Sequence, residues 1–300
     1  MFKHILVPLD GSRMAEAALP VAVSLAEALH APVTLLHVIE QDAPSEVHHD
    51  RHLTNPQEAQ EYLDEIARSS FPEEIKVEVH IHSAPVADVP LSIIEHAKQE
   101  LQPDLILLCS HGKSGIREIL FGSIAQLVAA AGDTPVLLIK PEHVNTPFKV
   151  RKILVPLDNE SIHDLVLPYA ITLSRAYKAQ IDLLCVIPTL GTDSGMHAAA
   201  GSMLPATAVA YLDIAEDIAQ EHFQEHLDEF SSVGLPASAE IVRGDPASMI
   251  AKTAERLDSD IILLGTHGRV GMDAFWNRSV TASVAKKSNI PLLLFPLADY

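Results

Sequence analysis

The chain is written twice, and this repetition limits its folds more than any other feature. HILVPLDGS (residues 4–12) returns as KILVPLDNES (152–161), so that Asp10 matches Asp158, 148 residues further on. VTLLHVI (33–39) returns at the same offset as IDLLCVI (181–187). PDLILL (103–108) and TPVLLIK (134–140) return as SDIILL (259–264) and IPLLLFP (290–296), now at an offset of 156. The second copy has therefore gained eight residues, which we assign to the aperiodic, Gly- and Pro-rich stretch 188–208. The boundaries expected are a first domain over 1–141, a linker over 142–150 (EHVNTPFKV) and a second domain over 151–300.

Each copy reads as alternating strands and helices. HILVPL, PVTLLHVI, KVEVHIH, LILLCS and PVLLIK are short apolar or alternating runs between turn residues, whereas 14–30 and 89–101 carry apolar residues at helical spacing. Runs that are apolar at every position belong to strands covered on both faces, as in a parallel sheet between helices. Right-handed crossovers make each copy a doubly wound α/β domain. Ligands of such sheets sit beyond the carboxyl ends of the strands, where the strand order reverses. Asp10 follows the first strand and Cys109 ends the fourth, so neighbouring positions for those strands would turn both motifs toward one crevice. The last strands each open on a proline (Pro135, Pro291), which suits an edge or a strand start.

Composition narrows the partners. Lys plus Arg number 21 against 40 Asp plus Glu, a net charge of −19 that repels nucleic acid and anionic lipid. No apolar run approaches the roughly 20 residues that span a bilayer. Two cysteines, Cys109 and Cys185, make no disulfide framework and suit a reducing cytoplasm.

The stretch CSHGKSGIREILFGSIA (109–125) follows the fourth strand. Gly112 permits a sharp turn, and Gly122-Ser123 precede a helical pattern. Backbone N–H groups at a helix start favour an anion, and the Ser123 hydroxyl adds a donor. A turn with a helix cap is the plainer reading of the same residues, and spacing alone leaves both open.

ILVPLDGS, LLHVI and the spacing Gly-x2-Gly-x9-Gly-Ser/Thr occur in order in both halves, and over nearly its whole length the chain resembles a tandem universal stress protein. The resemblance implies two five-stranded, doubly wound parallel-sheet domains, Rossmann-like and of the adenine nucleotide alpha hydrolase type, whose last strands pair as an intramolecular pseudo-dimer. It implies an adenine nucleotide, ATP, in the first domain. Pro8 would shape the strand end, Asp10 the ribose or adenine side, and the Val38 backbone the adenine edge. Gly112, Gly122, Ser123 and the Ile124 backbone would hold phosphates, with Cys109 where the pattern has its first glycine. In the second copy Asp158, Val186, Gly265, Gly268 and Ser279 match, but Arg278 replaces the phosphate glycine, so that site is expected to be degenerate. A homodimer of the tandem chain is a further expectation.

Other constellations carry less. HFQEH (222–226) has the His-x-x-Glu-His order of inverted zincins, but reads as the acidic outer face of a helix with Ile218, Phe223, Leu227 and Phe230 inward. His80 and His82 share a strand face, HHDRH (48–52) lies in a polar loop, and neither reads as a dedicated metal site. No catalytic residue is assigned: Ser110 and His111 are adjacent and would point apart, and the P-loop pattern is not met. The expectation is a stress-response module that binds nucleotide as a switch, with at most weak ATP hydrolysis or autophosphorylation. The alternatives are a scaffold or chaperone-like protein without nucleotide and a slow ATPase.

Overall fold

The computed structural model describes residues 2–44, 46–47, 50–109, 123–141, 148–158, 160–189, 205–267 and 279–297; of Val47, Arg51, Ser123, His267, residues 205–209 and Tyr211 only the backbone is described. The chain divides into two compact units between Lys149 and Val150.

In the first unit, β1 (Ile5–Pro8) is an uninterrupted apolar run, with Ile5, Leu6 and Val7 fully buried. Ser12 caps a short helix α1 (Arg13–Glu16), and α2 (Leu19–Leu29) follows. The helical pattern over 14–30 is thus two helices: Pro20 stands in the first turn of α2, where its missing N–H costs nothing. β2 (Val33–Glu40) is buried from Val33 to Ile39. Two-residue strands β3 (Glu46–Val47) and β4 (Asp50–Arg51) pair antiparallel, and α3 (Pro56–Ser70), capped by Asn55, buries Ala59, Leu63 and Ile66. β5 (Val77–Val86) ends the sheet and is half exposed, which accounts for its polar alternation. α4 (Val89–His96), capped by Asp88, runs into a π-helical turn, Ala97–Leu101. β6 (Leu105–Cys109), α5 (Ser123–Ala131) and β7 (Val136–Ile139) complete the copy. The strand order is β5-β2-β1-β6-β7, all parallel, so the order reverses between β1 and β6 as expected.

The second unit repeats the plan. β8 (Lys152–Pro156) leads to a 3-10 turn (Ser161–Val166) and α6 (Leu167–Tyr177). β9 (Gln180–Ile187), the long α7 (Pro205–Ser232), β10 (Ala237–Arg243), α8 (Pro246–Arg256), β11 (Ile261–His267) and α9 (Val280–Lys287) follow, with strand order β10-β9-β8-β11. On α7 the inward residues are Ala219, Phe223 and Phe230, whereas Ile218 is 50% exposed, against the sequence expectation. His222 and His226 are part-buried rather than on the outer face, because the packed stripe runs through 219, 222–223, 226–227 and 230.

The final strand, β12 (Leu292–Leu297), clusters with the first unit, where it runs antiparallel to β7 with Leu293 opposite Leu137. The last strands of the two copies thus pair within one chain, covering the apolar edge of β7. No helix among the described residues is long and apolar enough to cross a membrane.

Leu137 is fully buried between Leu107 and Leu293. Leu137→Ala is expected to cost about 2–5 kcal/mol, read as a lower midpoint in urea with both last strands present.

Candidate functional site

The carboxyl end of β1 builds the site. Gly11 has φ +90°, a conformation a side chain would strain, and it turns the chain so that Ser12 folds back on Asp10. The Ser12 backbone N–H and hydroxyl donate to Asp10 Oδ1 at 2.9 and 2.6 Å, and Ser12 Oγ accepts from the Ala15 N–H at 3.2 Å. One buried serine therefore both orients Asp10 and starts α1.

Asp10 faces a cleft of about 570 Å³ at the carboxyl ends of β1, β2 and β6, within the usual range for a small-ligand pocket. Pro8, Val38, Cys109 and Ile124 line the same cleft, so five of the eight expected first-copy residues converge. The β2–β5 register breaks between Val38 and Glu40. Ser123 opens α5, whose first residues lie at the cleft, where the N–H groups of a helix start have no partner within the helix itself. Gly112 and Gly122 lie outside the described residues. Burial first, and the Asp10 carboxylate second, push the Cys109 thiol up to about 12.

Sequence reasoning missed the braces. His37 is 1% exposed, with Nδ1 2.7 Å from Leu9 O and Nε2 2.9 Å from Leu53 O, joining the end of β1 to the segment before α3. His52 lines the cleft with Nε2 3.8 Å from Glu40 Oε2, and its buried Nδ1 has no hydrogen-bond partner among the described residues. Tyr62 donates to Glu16 at 2.9 Å; burial and that carboxylate push its pKa far above the ordinary phenol value. An apolar strand interrupted by one histidine was the available signal for His37.

The second copy holds its aspartate differently. Asp158 Oδ1 accepts from the Glu160 N–H at 2.9 Å and pairs with His163 Nδ1 at 2.6 Å. Burial works to raise the Asp158 carboxyl, but the bonds from His163 and Glu160 together hold it below the ordinary range. The bond to Asp158 raises His163 against its burial. Ser279 accepts from the Ala282 N–H at 3.1 Å as the cap of α9. Val186 lies on β9 and Gly265 on β11, while Gly268 and Arg278 lie outside the described residues.

The sequence profile of the universal stress protein family matches residues 1–140 and again 149–296. A universal stress protein of Mycobacterium tuberculosis is 23% identical over 97% of this chain and 95% of its own length. One from Methanocaldococcus jannaschii is 30% identical over 151 residues, 48% of this chain and 81% of that protein. A crystal structure of a universal stress protein from Archaeoglobus fulgidus superposes with a TM-score of 0.72 at 20% identity, covering 99% of this chain and 98% of that one, a likeness of fold.

The thiolate is the form that reacts. With Cys109 pushed up to about 12 and buried Cys185 to about 11, native alkylation by iodoacetamide near pH 8 should run at least about a hundredfold slower than in urea. Rapid native labelling of Cys109 would contradict its placement.

Proposed function

Because this chain belongs in both of its halves to the universal stress protein family, we propose that its first unit binds an adenine nucleotide, foremost ATP, in the cleft at the ends of β1, β2 and β6. One observation carries the reading: Asp10, Val38, the last residue of β6 and the first turn of α5 line a single cleft of nucleotide size. Asp10, oriented by Ser12, would accept from a ribose hydroxyl, and the backbone at Val38 would meet the adenine edge. The N–H groups at the start of α5, with the glycine turn before it, would take the phosphates. Local backbone donors are what an anionic ligand requires in a chain of net charge −19.

The proposed task is binding rather than rapid turnover, in a cytoplasmic module that a nucleotide orders or switches. In the second unit the matching carboxylate is committed to His163 and the serine to a helix cap. That supports one ligand per chain.

Titration calorimetry with ATP on the full chain should show one site. Asp10→Ala is expected to weaken it at least about tenfold, roughly 1.4 kcal/mol. Gly122→Arg, which copies the residue at 278, should abolish binding, and Asp158→Ala should leave it unchanged. A native chain that takes up neither ATP, ADP nor AMP would end the proposal.

A further inference from the structure

We propose that Asp164, His222 and His226 form a binding site for a divalent transition-metal ion of the zinc class in the second unit. His222 and His226, four residues apart on α7, project side by side toward Asp164 on the 3-10 turn after β8. The candidate donor atoms crowd together, each ring facing its own oxygen of the one carboxylate. His222 Nε2 lies 3.0 Å from Asp164 Oδ2, His226 Nε2 lies 3.5 Å from Asp164 Oδ1, and the two Nε2 atoms are 3.1 Å apart. Ligands at roughly 2.0–2.2 Å in a tetrahedral zinc site stand roughly 3.3–3.6 Å from one another. Small side-chain adjustments therefore bring the two Nε2 atoms and one carboxylate oxygen onto one face of such a tetrahedron.

Proton bookkeeping points the same way. Protonating both Nε2 atoms would aim two hydrogens at each other across 3.1 Å. Protonating one leaves a single N–H between the second imidazole and the carboxylate. Asp164 Oδ1 is buried without a hydrogen-bond partner among the described residues. A cation among these atoms uses lone pairs from both rings and the carboxylate and removes the conflict.

The surroundings suit a structural ion. The three side chains are only 15–23% exposed, and the rings of Phe223 and Phe230 stack beside His222 and His226. Glu225, the would-be base of the inverted zincin order, is exposed, away from the packed stripe that carries His222 and His226. A bound ion would pin the 3-10 turn, and with it His163, to α7. The cluster His80, His96 and Glu100 in the first unit is looser, its carboxylate standing 3.7 and 3.9 Å from the rings. It serves as the internal control.

The full chain, stripped with chelator, is titrated with Zn²⁺ by calorimetry and with Co²⁺ by visible absorption. One Zn²⁺ per chain is expected, with the intense Co²⁺ bands of a four- or five-coordinate ion. His222→Gln, His226→Gln and Asp164→Asn should each weaken binding by more than about tenfold. The His80→Ala/His96→Ala double variant should bind as the native chain does. Zn²⁺ should raise the Tm of the native chain but not of His222→Gln, whose fold is checked by circular dichroism. Failure to bind Zn²⁺, binding untouched by the α7 variants, binding lost in the first-unit double variant, or only weak six-coordinate Co²⁺ bands would each overturn the assignment.

Discussion

The fold of the first unit depends on β1 being gripped on both sides. Ile5 pairs in parallel with Val33 of β2 and with Leu105 of β6, and Ile5 through Val7 are sealed from solvent. A strand buried on both faces and both edges has only its ends available for chemistry. Parallel crossovers leave opposite faces of the sheet on either side of β1, so the chain segments beyond it diverge and a crevice opens. Asp10, two residues past β1, lies at its floor. Ser12 and His37 then fix the floor's geometry, one from inside the turn and one from the next strand.

The second copy keeps that strand logic and changes what surrounds it. β8 is gripped in the same way by β9 and β11, but the matched side chains differ. Glu160 stands where Ser12 does, and His163, where the first copy has Ala15, hydrogen-bonds Asp158. Cys185 stands where His37 does. A thiol that burial pushes up to about 11 cannot tie two carbonyls together as an imidazole bridges Leu9 and Leu53. The two crevices therefore differ through a few side chains at strand ends, within one shared backbone plan.

Much of this was legible in the sequence. Unbroken apolar runs marked the buried strands, and the repeat marked two domains. Asp10 and Cys109 were expected to share one crevice on the condition that their strands are neighbours, which β1 and β6 are. What escaped notice depends on tertiary contacts. The helical pattern over 14–30 breaks at Ala17–Ala18 because Pro20 starts a new helix, although the apolar spacing continues across the break. Ile218 was placed inward by hydrophobicity, but Ala219 fits the closer approach, and the neighbouring histidines take the packed side. His37 reads as an odd polar residue in a strand until Leu53 comes back to meet it. Polar braces pair residues from separate elements, and no periodicity encodes such a pairing.

The pairing of β12 with β7 explains what a tandem chain gains from carrying both copies. An exposed β7 edge, apolar along Val136–Ile139, would recruit other strands indiscriminately. Supplied by a separate chain, its partner strand would arrive only as concentration allowed; supplied by the same chain, it arrives at a fixed effective concentration. Leu292 to Leu294 lie opposite Leu138 to Val136, an all-leucine-and-valine seam along the edge of β7. The second copy thus has a structural task in its last strand. Its first strand ends on the Asp158–His163 hydrogen bond, while the first copy keeps a cleft beside Asp10.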